Sequence, residues 1–230
     1  MSMLIAACAV FIAIHLFVSG TRLRDRLTGV IGEGAYLAAF SLASLAVIVW
    51  MVMAFNAASA SPENQVLFVP WIGIRHLAIP VVALAFLLAV PGLLMPNPTS
   101  LKQEGAAAKE STVRGVLRIT RHPFLWGVAL WAAFHVAANG DEAATVFFGT
   151  FLVLGVFGPF SIDAKRRRKM GPQWDIFAAK TSNIPFAKGF KLGELFDWRL
   201  AAAVAAFLGV LFSHARLFGV SPFPNGWVPY

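Results

Sequence analysis

Five histidines, His15, His76, His122, His135 and His214, lie in or at the edge of long apolar blocks. An ionisable side chain inside a bilayer must find a partner, faces the interior of its bundle and marks function by default. The apolar blocks hold few acidic residues, which removes carboxylate-bridged di-iron sites and Asp/Glu proton relays from consideration. Neutral imidazole remains, a good axial ligand for haem iron. His15 sits in Ile12-Ala-Ile-His-Leu-Phe17, with Cys8 seven residues earlier on the same helical face. Taken alone, it is explained more simply by a bond to a neighbouring backbone carbonyl, with Cys8 as a small hydrophobe. His135 follows Trp131-Ala-Ala-Phe134, and Ala132 and Ala133 leave room for a flat cofactor or a close helix neighbour. His76 follows Arg75, where a snorkelling interface residue is an equal account. His214, just before Arg216, carries no functional expectation.

His122-Pro123 is a different kind of feature. Proline at the first helical position leaves no amide unsatisfied, and the residue before it is pushed out of the helical region. His122 is therefore expected at a helix cap. Arg114, Arg118 and Arg121 gather near the same helix start, whose dipole already favours anions. These four residues form a candidate site for a phosphate, a carboxylate or a haem propionate. Contact with lipid phosphates is the equal alternative. Asp163, at the head of the run Lys165 to Lys169, is expected to pair with one of those cations. The run itself reads as a topology anchor that touches anionic lipid.

The elements that must position these residues are membrane spans. Of the 230 residues, 58% are hydrophobic and 13% charged, where a soluble domain is about half apolar and about a quarter charged. The apolar residues fall in blocks: about Met3–Ser19, Tyr36–Phe55, Ile74–Met95, Pro123–Ala138, Ala143–Ile162 and Leu200–Val220. A loop with Gly29, Gly32 and Gly34 is expected after the first, and an interfacial segment over 66–73 before the third. The segment 104–110 is the most disorder-like, and 113–119 is amphipathic enough to lie along a membrane surface. Blocks four and five form a tight antiparallel hairpin across Asn139-Gly140-Asp141. A short surface helix over 173–179 buries Trp174 and Phe177, and a tail with three prolines and Trp227 ends the chain. The fold class expected is all-α: one polytopic membrane helix bundle of six transmembrane helices over 1–230. The single cysteine leaves no intrachain disulfide and no cysteine-rich metal site.

The net charge of +8 does not point to nucleic acid, because the cations sit beside the apolar blocks. Of 19 cations, 17 fall in three alternate connections, Arg22–Arg26, Lys102–Arg121 and Lys165–Arg199. The positive-inside rule places these basic loops in the cytoplasm and both termini outside, in the periplasm. A first block whose cations follow it is an uncleaved span, since a signal peptide carries them before.

The residues quoted so far resemble the NnrU family. The likeness rests on Arg118-Ile-Thr-Arg-His-Pro-Phe-Leu-Trp-Gly127, His135, Asn139-Gly140-Asp141, Asp163 with its basic run, Gly171-Pro-Gln-Trp174 and Thr181-Ser-Asn-Ile-Pro-Phe186. His15 with Arg22-Leu-Arg-Asp25, Gly32-Glu33-Gly34 and Arg75-His76-Leu77 add to it. The resemblance implies a multi-pass bacterial inner-membrane protein associated with denitrification. The family is similar to plant 15-cis-zeta-carotene isomerase, a membrane enzyme using haem b, and that pattern puts axial ligands at His15 and His135. The isomerase pattern has a cysteine three residues before the second histidine; here that position is Ala132, a departure that bears on any isomerase-like ligand exchange. A more distant similarity, through the Arg-His-Pro turn and the Ile-Pro close, runs to isoprenylcysteine and phospholipid methyltransferases that bind S-adenosylmethionine. Their acidic pair is reduced here to Asp163-Ala164.

Depth within the membrane qualifies the ligand pair. His15 is expected roughly 6 Å from the inner edge, and His135 roughly 18 Å along its span from Pro123. Depth alone pairs His15 with His122 and His76 with His135, and these stay as alternatives. Three functions follow. The first is a haem-binding protein of redox or nitrogen-oxide metabolism, redox enzyme or isomerase-like, with a hydrophobic small-molecule substrate and a membrane redox partner. The second is an S-adenosylmethionine-dependent methyltransferase built on Arg121, His122 and Asp163. The third is a non-catalytic accessory factor for a nitrite or nitric oxide reductase.

Overall fold

The structure is a computed structural model that describes residues 1–100, 102–108, 112–224 and 226. Lys109 and Glu110 of the segment expected to be disorder-like, and Trp227 of the tail, lie outside the described residues. The described residues form helices and connections; the nearest approach to a sheet is an isolated bridge, Val66 to Asp141.

The first apolar block forms α1 (Ser2–Ile12), continued by a wider π turn over Ala13–Val18. The chain then bends by 80° into α2 (Arg22–Ile31). A Cβ at Gly20 would fall 2.3 Å from the Leu16 carbonyl oxygen, so the bend needs glycine there. The expected glycine loop is thus mostly helix. Thr21 caps it by accepting from the Leu23 amide at 3.2 Å, and Leu23, Leu27, Val30 and Ile31 recur at helical spacing. Only Gly32, at φ +82°, breaks the chain before α3 (Glu33–Ser59).

A 3₁₀ turn (Ile72–Leu77) leads into α4 (Ala78–Leu94). The one-turn α5 (Val116–Ile119) has Val116, Leu117 and Ile119 buried, the first two packed with Met95 and Leu195. His122 caps α6 (Pro123–Asn139), with Pro123 at its first position. The tight turn Gly140-Asp141 follows, and the Asp141 carboxylate caps α7 (Glu142–Met170) by accepting from the Ala144 amide at 2.9 Å. α7 runs eight residues past the expected end at Ile162. Its last turn carries Arg167, Arg168 and Lys169, which suit the negative end of the helix dipole. α8 (Pro172–Lys180) buries Trp174 and Phe177 as expected, and α9 (Trp198–Phe218) closes the fold.

Among the described residues four segments are long and apolar enough to cross a bilayer: Glu33–Ser59, Ile72–Leu94, Glu142–Met170 and Trp198–Phe218. The bent pair Ser2–Val18 and Arg22–Ile31 brings the number to five if it is one broken span. The helix α6, expected as one of six spans, has 17 residues, roughly 26 Å. It is the best packed element, held between α4 and α7, while α1 packs on α3 and α7, and α9 on α4. Small residues let these helices close up. A Cβ at Gly127 would fall 2.6 Å from the Ala85 carbonyl oxygen, and one at Gly155 would fall 2.7 Å from the Ala129 Cβ. Ala132 is fully buried.

Candidate functional site

The sequence-predicted residues separate into two groups at different depths. The first lies where α6 begins and α7 ends. Pro123 forces His122 out of the helix, to φ −121°, ψ 52°. This turns the imidazole under the bundle, where it is 2% exposed. Its Nε2 donates to Asp163 Oδ1 at 2.6 Å. The Arg121 guanidinium grips the same carboxylate: Nε lies 3.0 Å from both oxygens, and the Nη2 atom also pairs with Oδ2. Asp163 therefore pairs with residues some forty positions upstream, and not with its own cationic run as expected.

Distant loops lock this arrangement. The Arg121 amide donates to the Ser182 carbonyl at 2.8 Å. The Arg121 carbonyl accepts from Asn97 Nδ2 at 3.0 Å and Thr99 Oγ1 at 3.2 Å. The Asn183 carbonyl accepts from Thr120 Oγ1 at 2.6 Å and Trp126 Nε1 at 2.8 Å. The Phe186 amide reaches the Ile119 carbonyl at 2.8 Å, and the Trp174 ring lies 5.8 Å from the guanidinium carbon of Arg121. Asn97 and Thr99 had no role in the sequence reading, their only signal being proximity to Pro96 and Pro98, and Asn183 entered only within the family-like stretch Thr181–Phe186.

With Nε2 donating, His122 keeps a bare lone pair on Nδ1, and that atom is buried without a partner. Burial pushes the imidazole below its ordinary pKa, against the upward pull of Asp163. A neutral imidazole oriented by a carboxylate is an arrangement suited to taking a proton.

The expected anion site does not assemble as a group of free cations. Arg121 is neutralised by Asp163, and Arg118 Nε donates to Glu194 Oε2 at 2.8 Å. Arg118, with the Gly115 amide, holds the Glu194 carboxyl below the usual range. Arg114 instead lines a separate cavity of about 670 Å³ with Met95, Lys102 and Gln103.

The second group is aromatic and lies within the bundle. His15 donates from Nδ1 to the Phe11 carbonyl at 2.8 Å, and His135 from Nδ1 to the Trp131 carbonyl at 2.8 Å. A carbonyl can only accept, so each Nδ1 carries the proton and each Nε2 keeps a lone pair. The two imidazoles stand at opposite ends of one chain of rings. His15 contacts Phe11 at 4.2 Å, Phe11 contacts Phe151 at 5.6 Å, Phe151 contacts Trp131 at 5.6 Å, and Trp131 contacts His135 at 5.0 Å. The helices run antiparallel, so His15 and His135 lie one turn beyond the bridge in opposite directions. Their backbones are about two turns, roughly 12 Å, apart in depth.

His76 is exposed on its 3₁₀ turn. His214, given no role from sequence, donates from Nδ1 to the Val220 carbonyl at 2.7 Å. Among the described residues no group of three or more His, Cys, Asp or Glu could hold a metal ion.

Residues 3–222 match the profile of a protein family described as NnrU protein. The chain is 27% identical over 116 residues to 15-cis-zeta-carotene isomerase, chloroplastic, of Arabidopsis thaliana, covering 46% of this chain and 32% of that protein. It is 29% identical over 73 residues to the protein of the same name from Zea mays, covering 32% of this chain and 20% of that protein. These matches thus span less than a third of each curated relative. No solved structure matches the chain significantly.

Proposed function

The chain belongs to the NnrU family, and on that premise we propose a six-span protein of the bacterial inner membrane that binds haem b through His15 and His135. The termini lie outside and the basic loops in the cytoplasm, in keeping with the 17 cations in alternate connections. The function served is redox or nitrogen-oxide metabolism, of the kind associated with denitrification.

One observation carries the haem reading. Both imidazoles give Nδ1–H to the carbonyl four residues back, which fixes the tautomer and leaves Nε2 bare among aromatic rings. A metal-ligating histidine is held in this way. A bare acceptor in an apolar wall is a poor choice for packing alone, where Leu or Phe would cost nothing. The donor chemistry fits haem, while Phe11, Phe151 and Trp131 now fill the space between the two ligands. Haem, when bound, supplies one-electron redox chemistry or the electronic basis of an isomerase-like reaction on a hydrophobic small molecule. The two backbone carbonyls keep both Nδ1 protons in place.

The absorption spectrum of protein purified from haem-supplied cells tests the reading. A Soret band weakened or shifted in His15→Ala and in His135→Ala is expected. No band, or one unchanged in both variants, sinks it.

A second reading is favoured by the other group. Arg121, His122 and Asp163 meet within hydrogen-bond distance, as an S-adenosylmethionine-dependent methyltransferase built on them would need. Saturable S-adenosylmethionine binding by calorimetry, lost in Arg121→Ala, would establish it. If the protein binds neither haem nor the methyl donor and co-purifies with a reductase, it is an accessory factor.

A further inference from the structure

A second cavity, of about 760 Å³, opens at the basic end of the bundle between α2, the start of α3 and the last turns of α7. Five cations line it, Arg24, Lys165, Arg166, Arg168 and Lys169, together with Asp25, Glu33 and Glu104. The acids do not neutralise the cations evenly. Arg24 holds Glu33 at 3.0 Å and Asp25 at 3.8 Å. Glu104 is shared by Arg166 and by Lys169, the latter at 2.8 Å. Lys165 donates to the Ser19 carbonyl at 3.4 Å and has no ion pair among the described residues. Among the described residues Arg168 has no ion pair. Two positive charges therefore remain to face the cavity.

The back wall has a different character. Leu37 and Phe40 make it apolar, and Tyr36 stands beside them, 4% exposed. Among the described residues the buried Tyr36 hydroxyl has no hydrogen-bond partner. A hydroxyl left unpaired at the inner end of a basic cavity is a donor kept for something that enters.

We propose that this cavity binds the phosphate head of an anionic amphiphile, between Lys165, Arg168 and the Tyr36 hydroxyl, with its apolar part against Leu37 and Phe40. Two free cations attract either a phosphodiester or a phosphomonoester, and phosphate oxygens can accept from all three donors. α2 supports this, because it turns by 80° out of the line of α1 and brings Arg24, Asp25, Thr28 and Gly29 to the cavity lining. The phosphate source is either a membrane lipid or a soluble phosphoanion.

The test is native mass spectrometry of the full chain released from nanodiscs of phosphatidylglycerol or of phosphatidylcholine. Wild type should retain one phosphatidylglycerol and release phosphatidylcholine. The double variant Lys165→Gln with Arg168→Gln should lose retention by about 30-fold, the effect of two cations near an anionic head. Tyr36→Phe should weaken it less. Arg26→Gln, an exposed α2 residue outside the cavity, and the charge-keeping pair Lys165→Arg with Arg168→Lys should retain the lipid. Binding of inorganic phosphate without lipid retention, lost in the same double variant, assigns the site to a soluble phosphoanion. Equal retention of both lipids by wild type with no phosphate binding, or full retention by the double variant, overturns the proposal.

Discussion

The imidazole of His122 donates to the carboxylate of Asp163 at 2.6 Å across 41 residues of chain. That bond ties the first residue before α6 to the last turns of α7, and Arg121 shares the same carboxylate. Asp163 thus holds two neighbours of opposite need, a half-buried permanent cation and a buried imidazole.

Removing Asp163 should cost more than any exposed pair. Asp163→Ala leaves Arg121 and His122 buried without a partner, a loss of about 3–5 kcal/mol. Asp163→Asn, which can still accept from one of them, should lose less. Arg167 and Asp175 form an ion pair with side chains 68% and 63% exposed, and Arg167→Ala should change stability by less than about 1 kcal/mol. Thermal unfolding in detergent measures all three; equal melting of Asp163→Ala and Arg167→Ala would contradict the clamp.

The small-residue seam makes a packing prediction. Gly127→Leu must push the new side chain against the Ala85 carbonyl, whose backbone cannot move aside. It should destabilise by at least about 1–3 kcal/mol. Gly149, with nothing within 4 Å of a built Cβ, should accept Leu in the membrane-facing surface. Unfolding midpoints that do not separate the two variants would rule out close packing at α4–α6.

Glu104 ties the loop after α4 to the end of α7. Burial alone would raise its carboxyl, but the hydrogen bond from Lys169 and the charges of Arg166 and Lys169 outweigh it and hold it at about 2, below an ordinary 4.5. A depressed carboxyl contributes stability that is complete above its unfolded pKa and is lost as pH falls through the folded one. The contribution should therefore stand at pH 5 and above and decay between pH 4.5 and 2. Stability measured against pH should show that decay in wild type, and Glu104→Gln should flatten it.

The five histidines can be separated by spectroscopy on haem-supplied protein. His15→Ala and His135→Ala should alter the Soret band, whereas His76→Ala and His214→Ala should not. His122→Ala should leave the band in place and lower stability instead, since its Nε2 is committed to Asp163. A band that depends on His76 or His122 would move the ligands to those residues.

The orientation is open to labelling. In a Cys8→Ser background, a membrane-impermeant maleimide on intact cells should label Glu63→Cys, between α3 and α4. Lys188→Cys, between α8 and α9, should react only after the membrane is opened. The reverse pattern would invert the topology.

How much of this was legible depends on the range of the interaction. The helix ends at Pro123, Asn139, Pro172 and Lys180 follow from local rules, and sequence reading placed them within a residue or so. α2 was missed because its glycines outweighed an apolar stripe only four residues long. The run of α7 through Lys165 to Met170 was missed because polarity was taken as the end of the helix as well as the end of the apolar block. The partner of Arg118 is out of reach of any local rule, and Asp163 joins Arg121 and His122 in the sequence only through the resemblance to methyltransferases. Glu194 and Asp163 are 76 and 42 residues away, and no local period links them.

The sequence by itself determined that this chain is a bundle of apolar helices with one basic end, because block length, turn formers and charge are properties of short segments. It also marked Arg121, His122 and Asp163 as chemically unusual. Only the tertiary structure decided that these three form one closed network and that His15 and His135 stand at opposite ends of an aromatic chain. It also left the free cations in a cavity beside α2, away from the start of α6. Which charge meets which is set by how helices cross in space, and a side chain many residues away competes for a partner on equal terms with a neighbour.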